Sequence, residues 1–158
     1  MAKKAMRPGW DEYWLMIMDA VGERATCPRG KSGCVITRDN VLLSTGYVGA
    51  PKGAPQCDEV GCLMKEVKHG DGHVSEHCKR TVHAEANAIL QAAKNGVRIS
   101  DATLYCRMTP CRDCAMLIVN SGIKRVVAKG DYHESTDTKQ MFDDAGVELM
   151  ILGEVVKY

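Results

Sequence analysis

The chain carries almost no excess of charge: 21 Lys and Arg stand against 20 Asp and Glu, a formal +1. A long nucleic acid demands a broad basic field, so a small-molecule substrate, with no nucleic-acid partner, is the simpler expectation. No apolar run approaches the roughly 18 residues of a membrane span, and the Lys3-Lys4 start leads into no uninterrupted apolar stretch of the signal-peptide kind. A cytoplasmic protein with no membrane partner is expected. Internal repeats, low-complexity tracts and a disorder-prone composition are also missing. With 45% hydrophobic and 26% charged residues, 158 positions suit one domain, 1–158, with a real core. Eight cysteines without an export signal read as metal ligands and buried thiols rather than a disulfide framework.

Two short segments carry the chemistry. His83-Ala84-Glu85 and Pro110-Cys111-Arg112-Asp113-Cys114 form a split metal-site pattern. One neutral imidazole and two thiolates are three good ligands for a tetrahedral zinc ion, which leaves the fourth position to water. An open position implies catalysis. Glu85 lies two residues from His83, about 200° around a helix, so the two do not stack on one face as a ligand pair would. Glu85 is placed as a proton carrier. A C-x-x-C pair alone would also suit half of a structural zinc site or a redox dithiol. The surroundings argue otherwise. Ala86 to Gly96 is rich in helix formers and ends on Asn95-Gly96, so His83 opens a helix. Cys114 to Gly122 reads as a second, buried helix with a glycine stop. Both ligand sets then sit at helix N-termini, where exposed amides and the macrodipole favour thiolate over thiol.

Elsewhere the chain alternates elements. Trp10 to Gly22 is an amphipathic helix whose Met and aromatic stripe is core packing. Gly33 to Arg38, a turn at Asp39-Asn40 and Val41 to Tyr47 form a hairpin. A strand near 102–107, a strand over Lys124 to Ala128, a helix near Ser135 to Ala145 and a strand over Val147 to Ile151 complete the order α-β-β-α-β-α-β-α-β. Strands joined through helices favour parallel pairing, while the opening hairpin is antiparallel, so the expected fold class is α/β: a mixed five-stranded sheet covered by helices. Cys34 and Cys106 sit alone on strands, where core packing is the common role.

Roughly Ala50 to Arg80 is an insertion of different composition, holding Cys57, Cys62, His69, His73, His77 and Cys78. A long segment so poor in apolar residues is hard to order without a staple. A second, closed metal site is one answer, with Cys57, Cys62, either Cys78 or His77, and Cys27 as ligands; it would be structural. Packing of simply buried thiols is the alternative.

The H-x-E…P-C-x-x-C pattern resembles that of the zinc-dependent nucleoside and nucleotide deaminases. Over substantially the whole chain the resemblance is to the deoxycytidylate deaminase family of bacteria and phages. Thr26-Cys27, Gly46-Tyr47, Gly49-Ala50-Pro51, the Gln56 to Cys62 segment, the Cys78 to Glu85 segment and Asp131-Tyr132-His133 carry it. It implies a cytidine deaminase-like three-layer α-β-α sandwich and hydrolysis of dCMP to dUMP and ammonia, supplying dUMP for thymidylate synthesis. It implies zinc on His83, Cys111 and Cys114, with Glu85 moving the proton. Groups around Ala84, Thr109 and Pro110 would hold the base, and Tyr132 and His133 the 5′-phosphate. It further implies a homo-oligomer, commonly a hexamer, with dCTP and dTTP as effectors, Lys94 as a candidate participant in that control, and the host cytoplasm as the location if the source is viral. One position departs: the family carries Asn between Tyr47 and Gly49, against the sugar, and here Val48 stands. A valine side chain makes no hydrogen bond, which leaves room for a 5-substituted deoxycytidylate. Rival readings are tRNA adenosine deaminase, guanine deaminase and an inactive zinc module. The near-neutral charge and the Cys-rich insertion argue against the tRNA enzyme, and the intact Glu85 against the inactive module.

Overall fold

The computed structural model describes residues 6–153 and the backbone of Val155 and Val156. Helix α1 (Trp10–Gly22) buries Trp14, Leu15 and Met18 at helical spacing on one side. The hairpin follows, β1 (Gly33–Arg38) and β2 (Val41–Tyr47), antiparallel and closed by Asp39 and Asn40 at φ 52° and 57°. Positive φ at both central residues is the type I′ turn that matches strand twist, and Asp and Asn tolerate it.

The main sheet continues through β5 (Thr103–Met108), β6 (Arg125–Tyr132) and β7 (Glu148–Ile151), in the order β2-β1-β5-β6-β7. β5, β6 and β7 pair in parallel, and β1 is antiparallel to both of its neighbours. A mixed sheet is therefore present, as the element pattern predicts. It gains one short sixth strand, β8 (Val155–Val156), which pairs with Asp131 and Tyr132 of β6.

Central strands are apolar on both faces because helices cover both. Val35, Tyr105 and Val127 meet α1. Cys34, Ile36, Leu104, Cys106, Val126 and Ala128 point the other way. There they pack with residues of α3 (Ala84–Lys94), α4 (Arg112–Asn120) and α5 (Thr136–Ala145), among them Ala88, Ile118 and Phe142. Cys34 and Cys106 are wholly buried packing groups. Two contacts fix α3 on the sheet. A Cβ on Gly46 would fall 2.3 Å from the Ala88 amide nitrogen, so only glycine lets β2 approach the helix this closely. Beside it, Ser44 Oγ donates to the Ala88 carbonyl at 2.7 Å. Across the sheet, Arg125 forks onto both oxygens of Asp11 at 2.7 and 2.9 Å, and Tyr105 Oη donates to Asp11 at 2.8 Å, tying α1 to β5 and β6.

The insertion is more ordered than a loop. It holds the one-turn helix α2 (Cys57–Val60) and a separate two-stranded hairpin, β3 (Met64–Lys68) and β4 (Val74–Cys78). Mixed charged and apolar residues hide this pairing, since neither face of the hairpin enters the core.

Candidate active site

His83 is the residue before α3 and Cys111 the residue before α4, both in extended conformation, and neither side chain caps its own helix. Freed from capping, the two side chains converge. His83 Nδ1 lies 3.4 Å from Cys111 Sγ and 3.5 Å from Cys114 Sγ. Bonds of about 2.0–2.1 Å to nitrogen and 2.3 Å to sulfur would place N and S ligands about 3.5 Å apart on a tetrahedron, so the three groups fit zinc without rearrangement.

Their electrostatics fit as well. Hydrogen bonding from Cys114 and His83 holds Cys111 down to about 4, while the Cys111 contact lifts His83 to about 9. Cys114 is pushed up, first by its contact with Cys111 and then by burial. The protein groups alone thus share protons that a dication would displace. Glu85 is only 8% exposed, with Oε2 3.9 Å from Cys114 Sγ. Burial raises its carboxyl above the usual range, against the opposing charge of His83. A carboxyl held in this way is suited to both accept and give a proton.

The other predicted residues lie next to the ligands in the chain or on the loops that lead to them. Gly49 bridges Val82, immediately before His83, and Asn87 Nδ2 donates to the Tyr47 carbonyl at 2.8 Å. Val48 is therefore held close to the start of α3. Its backbone is used by Ser32 and Thr26, which leaves its side chain for any further contact. Ala84 is buried at the first position of α3. Thr109 Oγ1 donates to Asp131 at 2.7 Å, and the Pro110 carbonyl accepts from buried Thr138 at 2.9 Å. Asp131 also takes Ser135 at 2.9 Å and Lys139 at 2.6 Å, so it organises the loop ahead of Cys111. Tyr132 is lifted above its ordinary range by burial, by its hydrogen bond to Glu134 and, least, by the charge of Cys111. His133 lies beside it, ring centroids 4.7 Å apart, with Nδ1 buried and unpartnered among the described residues. Asn87 and Asp131 carry no assignment from the sequence. Asn87 is a polar residue in an alanine-rich helix, one turn past His83, and that was its only signal.

In the insertion, Cys57, Cys62 and Cys78 bring their sulfur atoms within 4.8 Å of one another. Cys57 and Cys78 lie 3.7 Å apart, against about 3.8 Å for two thiolates on a tetrahedral zinc. Burial pushes Cys57 up to about 12; for Cys78 burial is outweighed by backbone hydrogen bonds from Arg80 and Leu63, which hold it down to about 7. Burial raises Cys62, with a smaller contribution from the charge of Cys27, which is itself buried and lies outside the tight trio. His77 is not brought to the thiols. It neighbours Cys78 on a strand, so it faces the opposite side, and its Nε2 lies 2.7 Å from Ser75 Oγ.

With this geometry, residues 8–129 match the cytidine and deoxycytidylate deaminase zinc-binding region, and the chain belongs to that family. It is 37% identical over 141 residues to ComE operon protein 2 of Bacillus subtilis, covering 89% of this chain and 70% of that one. It is 42% identical over 123 residues to the deoxycytidylate deaminase of Mycobacterium phage D29, covering 77% and 94%. Against the deoxycytidylate deaminase of Schizosaccharomyces pombe it is 36% identical but spans 44% of the longer protein. Among solved structures, the dCMP deaminase of cyanophage S-TIM5, in complex with dCMP and dUMP, superposes with a TM-score of 0.73 at 26% identity, covering 92% of this chain and 98% of that one.

Proposed function

We propose that this chain hydrolyses dCMP to dUMP with release of ammonia. The observation that carries the proposal is the convergence of His83, Cys111 and Cys114 beside buried Glu85. The naming of the yeast and phage relatives, and the dCMP and dUMP held by the cyanophage enzyme, support the choice of substrate.

His83, Cys111 and Cys114 would hold a zinc ion, which would make a bound water acidic enough to act near neutral pH. Glu85 is placed to accept a proton from the water that adds to C4 of cytosine. The same carboxyl passes that proton to N3 and then carries the C4 hydroxyl proton to the departing amine as the C4 carbonyl forms and ammonia leaves, so one residue serves as base and then acid. Ala84, Thr109 and Pro110 hold the base edge, with Asp131 fixing Thr109. Tyr132 and His133 face the 5′-phosphate, and Val48 lies against the sugar or a 5-substituent.

Cys57, Cys62 and Cys78, with Cys27 as the nearest fourth thiol, are assigned to a structural zinc. Exposed Leu90 and Leu117 on α3 and α4 support a homo-oligomer, for which the family suggests a hexamer under dCTP and dTTP control with Lys94 taking part. Eight free thiols favour a reducing compartment such as the cytoplasm. Steady-state deamination of dCMP, deoxycytidine, CMP and 5-methyl-dCMP, measured side by side, tests the substrate. The highest kcat/KM should fall on dCMP; preference for the free nucleoside would overturn the assignment, and preference for 5-methyl-dCMP would move it to the substituted nucleotide.

A further inference from the structure

The two faces of the β3–β4 hairpin carry different ligand chemistry. Met64 pairs with Cys78, Lys65 with His77, Val67 with Ser75, and the turn is closed by the His69 amide donating to the His73 carbonyl at 2.8 Å. Alternation along β4 puts Cys78 on one face, toward Cys57 and Cys62, and His73, Ser75 and His77 on the other. His69 lies across from His73, with ring centroids 5.4 Å apart. Opposite this second face stands the loop after β6, and Glu134 Oε1 is where the imidazoles meet. His69 Nε2 lies 3.0 Å from that oxygen, His133 Nε2 3.6 Å and His73 Nε2 3.9 Å.

Hydrogen bonding does not account for this gathering. Only the His69 distance falls inside the usual N–H···O limit. The same His69 nitrogen also lies 2.7 Å from Ser75 Oγ, so one ring atom faces a carboxylate and a hydroxyl together. Separations of 3.0 to 3.9 Å suit ion pairs between imidazolium and carboxylate, and they also suit a shared cation, because ligands about 2.0–2.1 Å from a tetrahedral ion sit about 3.4 Å apart. Two other clusters in this molecule, the catalytic triad and the thiol trio, show ligand spacings of the same kind. His69, His73 and Glu134 bring their ligand atoms within 4.8 Å of one another.

We propose that His69, His73 and Glu134 form a third metal site, for a borderline divalent cation such as Zn²⁺, Ni²⁺ or Co²⁺. Imidazole with carboxylate selects such ions over Mg²⁺ or Ca²⁺. The site joins two separate parts of the fold. Glu134 Oε2 accepts a hydrogen bond from Tyr132 at 2.8 Å while Oε1 faces the imidazoles, so an ion here would lock the hairpin to the loop that borders the active site.

The test is uptake of Zn²⁺ by the intact protein already saturated at its tight sites, followed by calorimetry. The wild type should bind one further equivalent, and His69→Ala with His73→Ala should weaken that step by more than about tenfold, since even outer partners of a metal ligand are worth that much. Glu134→Gln, which keeps side-chain size, should weaken it in the same way and guards against a folding defect in the histidine variant. With Co²⁺ as the probe, the additional equivalent should add no thiolate-to-cobalt charge-transfer absorption. A further equivalent that persists unchanged in both variants, one that brings thiolate absorption, or its absence from the wild type would overturn the site.

Discussion

Glu85 owes its chemistry to the place where α3 begins. One residue outside that helix, His83 turns toward the thiols of α4; two residues on, Glu85 is buried beside the same cluster. Val48 is the residue whose consequence is least expected from the family pattern. If its side chain replaces a hydrogen bond to the sugar, the net loss is about 0.5–1.5 kcal/mol, too small to abolish turnover. Val48→Asn should then raise kcat/KM for dCMP by up to about tenfold. A fall for dCMP, measured in the same assay, would mean that Val48 shapes the pocket for another nucleotide. Asp131 shows a different kind of role. It touches no metal ligand, yet it gathers Thr109, Ser135 and Lys139 and thereby sets the loop entering Cys111.

At the scale of elements, both helix starts were legible because their signals are local: a ligand motif, helix-forming residues, then a glycine stop. The buried strands were legible for the same reason. β3 and β4 were not, because their faces meet metal-type ligands and solvent rather than the core. The contacts of Asn87 and Asp131 are not legible in the sequence, because their partners lie 40 and 22 residues away, on Tyr47 and Thr109. Spacing in the sequence groups His77 with the thiols, whereas strand alternation separates it from Cys78. The thiol face makes a prediction: elemental analysis should give about two tightly held zinc ions per chain, falling by one in Cys57→Ser. A single zinc, unchanged by the substitution, would remove the structural site. The clamp between α1 and the sheet makes another. Arg125 holds the Asp11 carboxyl below its usual range, so the clamp is complete above the unfolded carboxylate value near pH 4 and is lost as pH falls through the lower folded value. Asp11→Asn should cost about 1–2 kcal/mol in urea unfolding at pH 7, and the gap to wild type should narrow at about pH 3. A gap independent of pH would show that the carboxylate charge is not what stabilises the clamp.

For the whole molecule, the layering decides where chemistry can occur. Among the described residues α1 alone covers one face of the sheet, while α3 and α4 lie together on the other with their N-termini at the same end of the fold, which brings His83 and Cys111 together across 28 residues. The near-zero charge fits a small anionic substrate held by local groups rather than a polymer held by a field. If this arrangement deaminates dCMP through Glu85, ammonia release from dCMP should separate the zinc-loaded wild type from Glu85→Gln at matched zinc content. Glu85→Gln should keep its zinc and its fold but lose on the order of 10²–10⁴-fold in kcat. Near-normal turnover by zinc-loaded Glu85→Gln would contradict that role for Glu85.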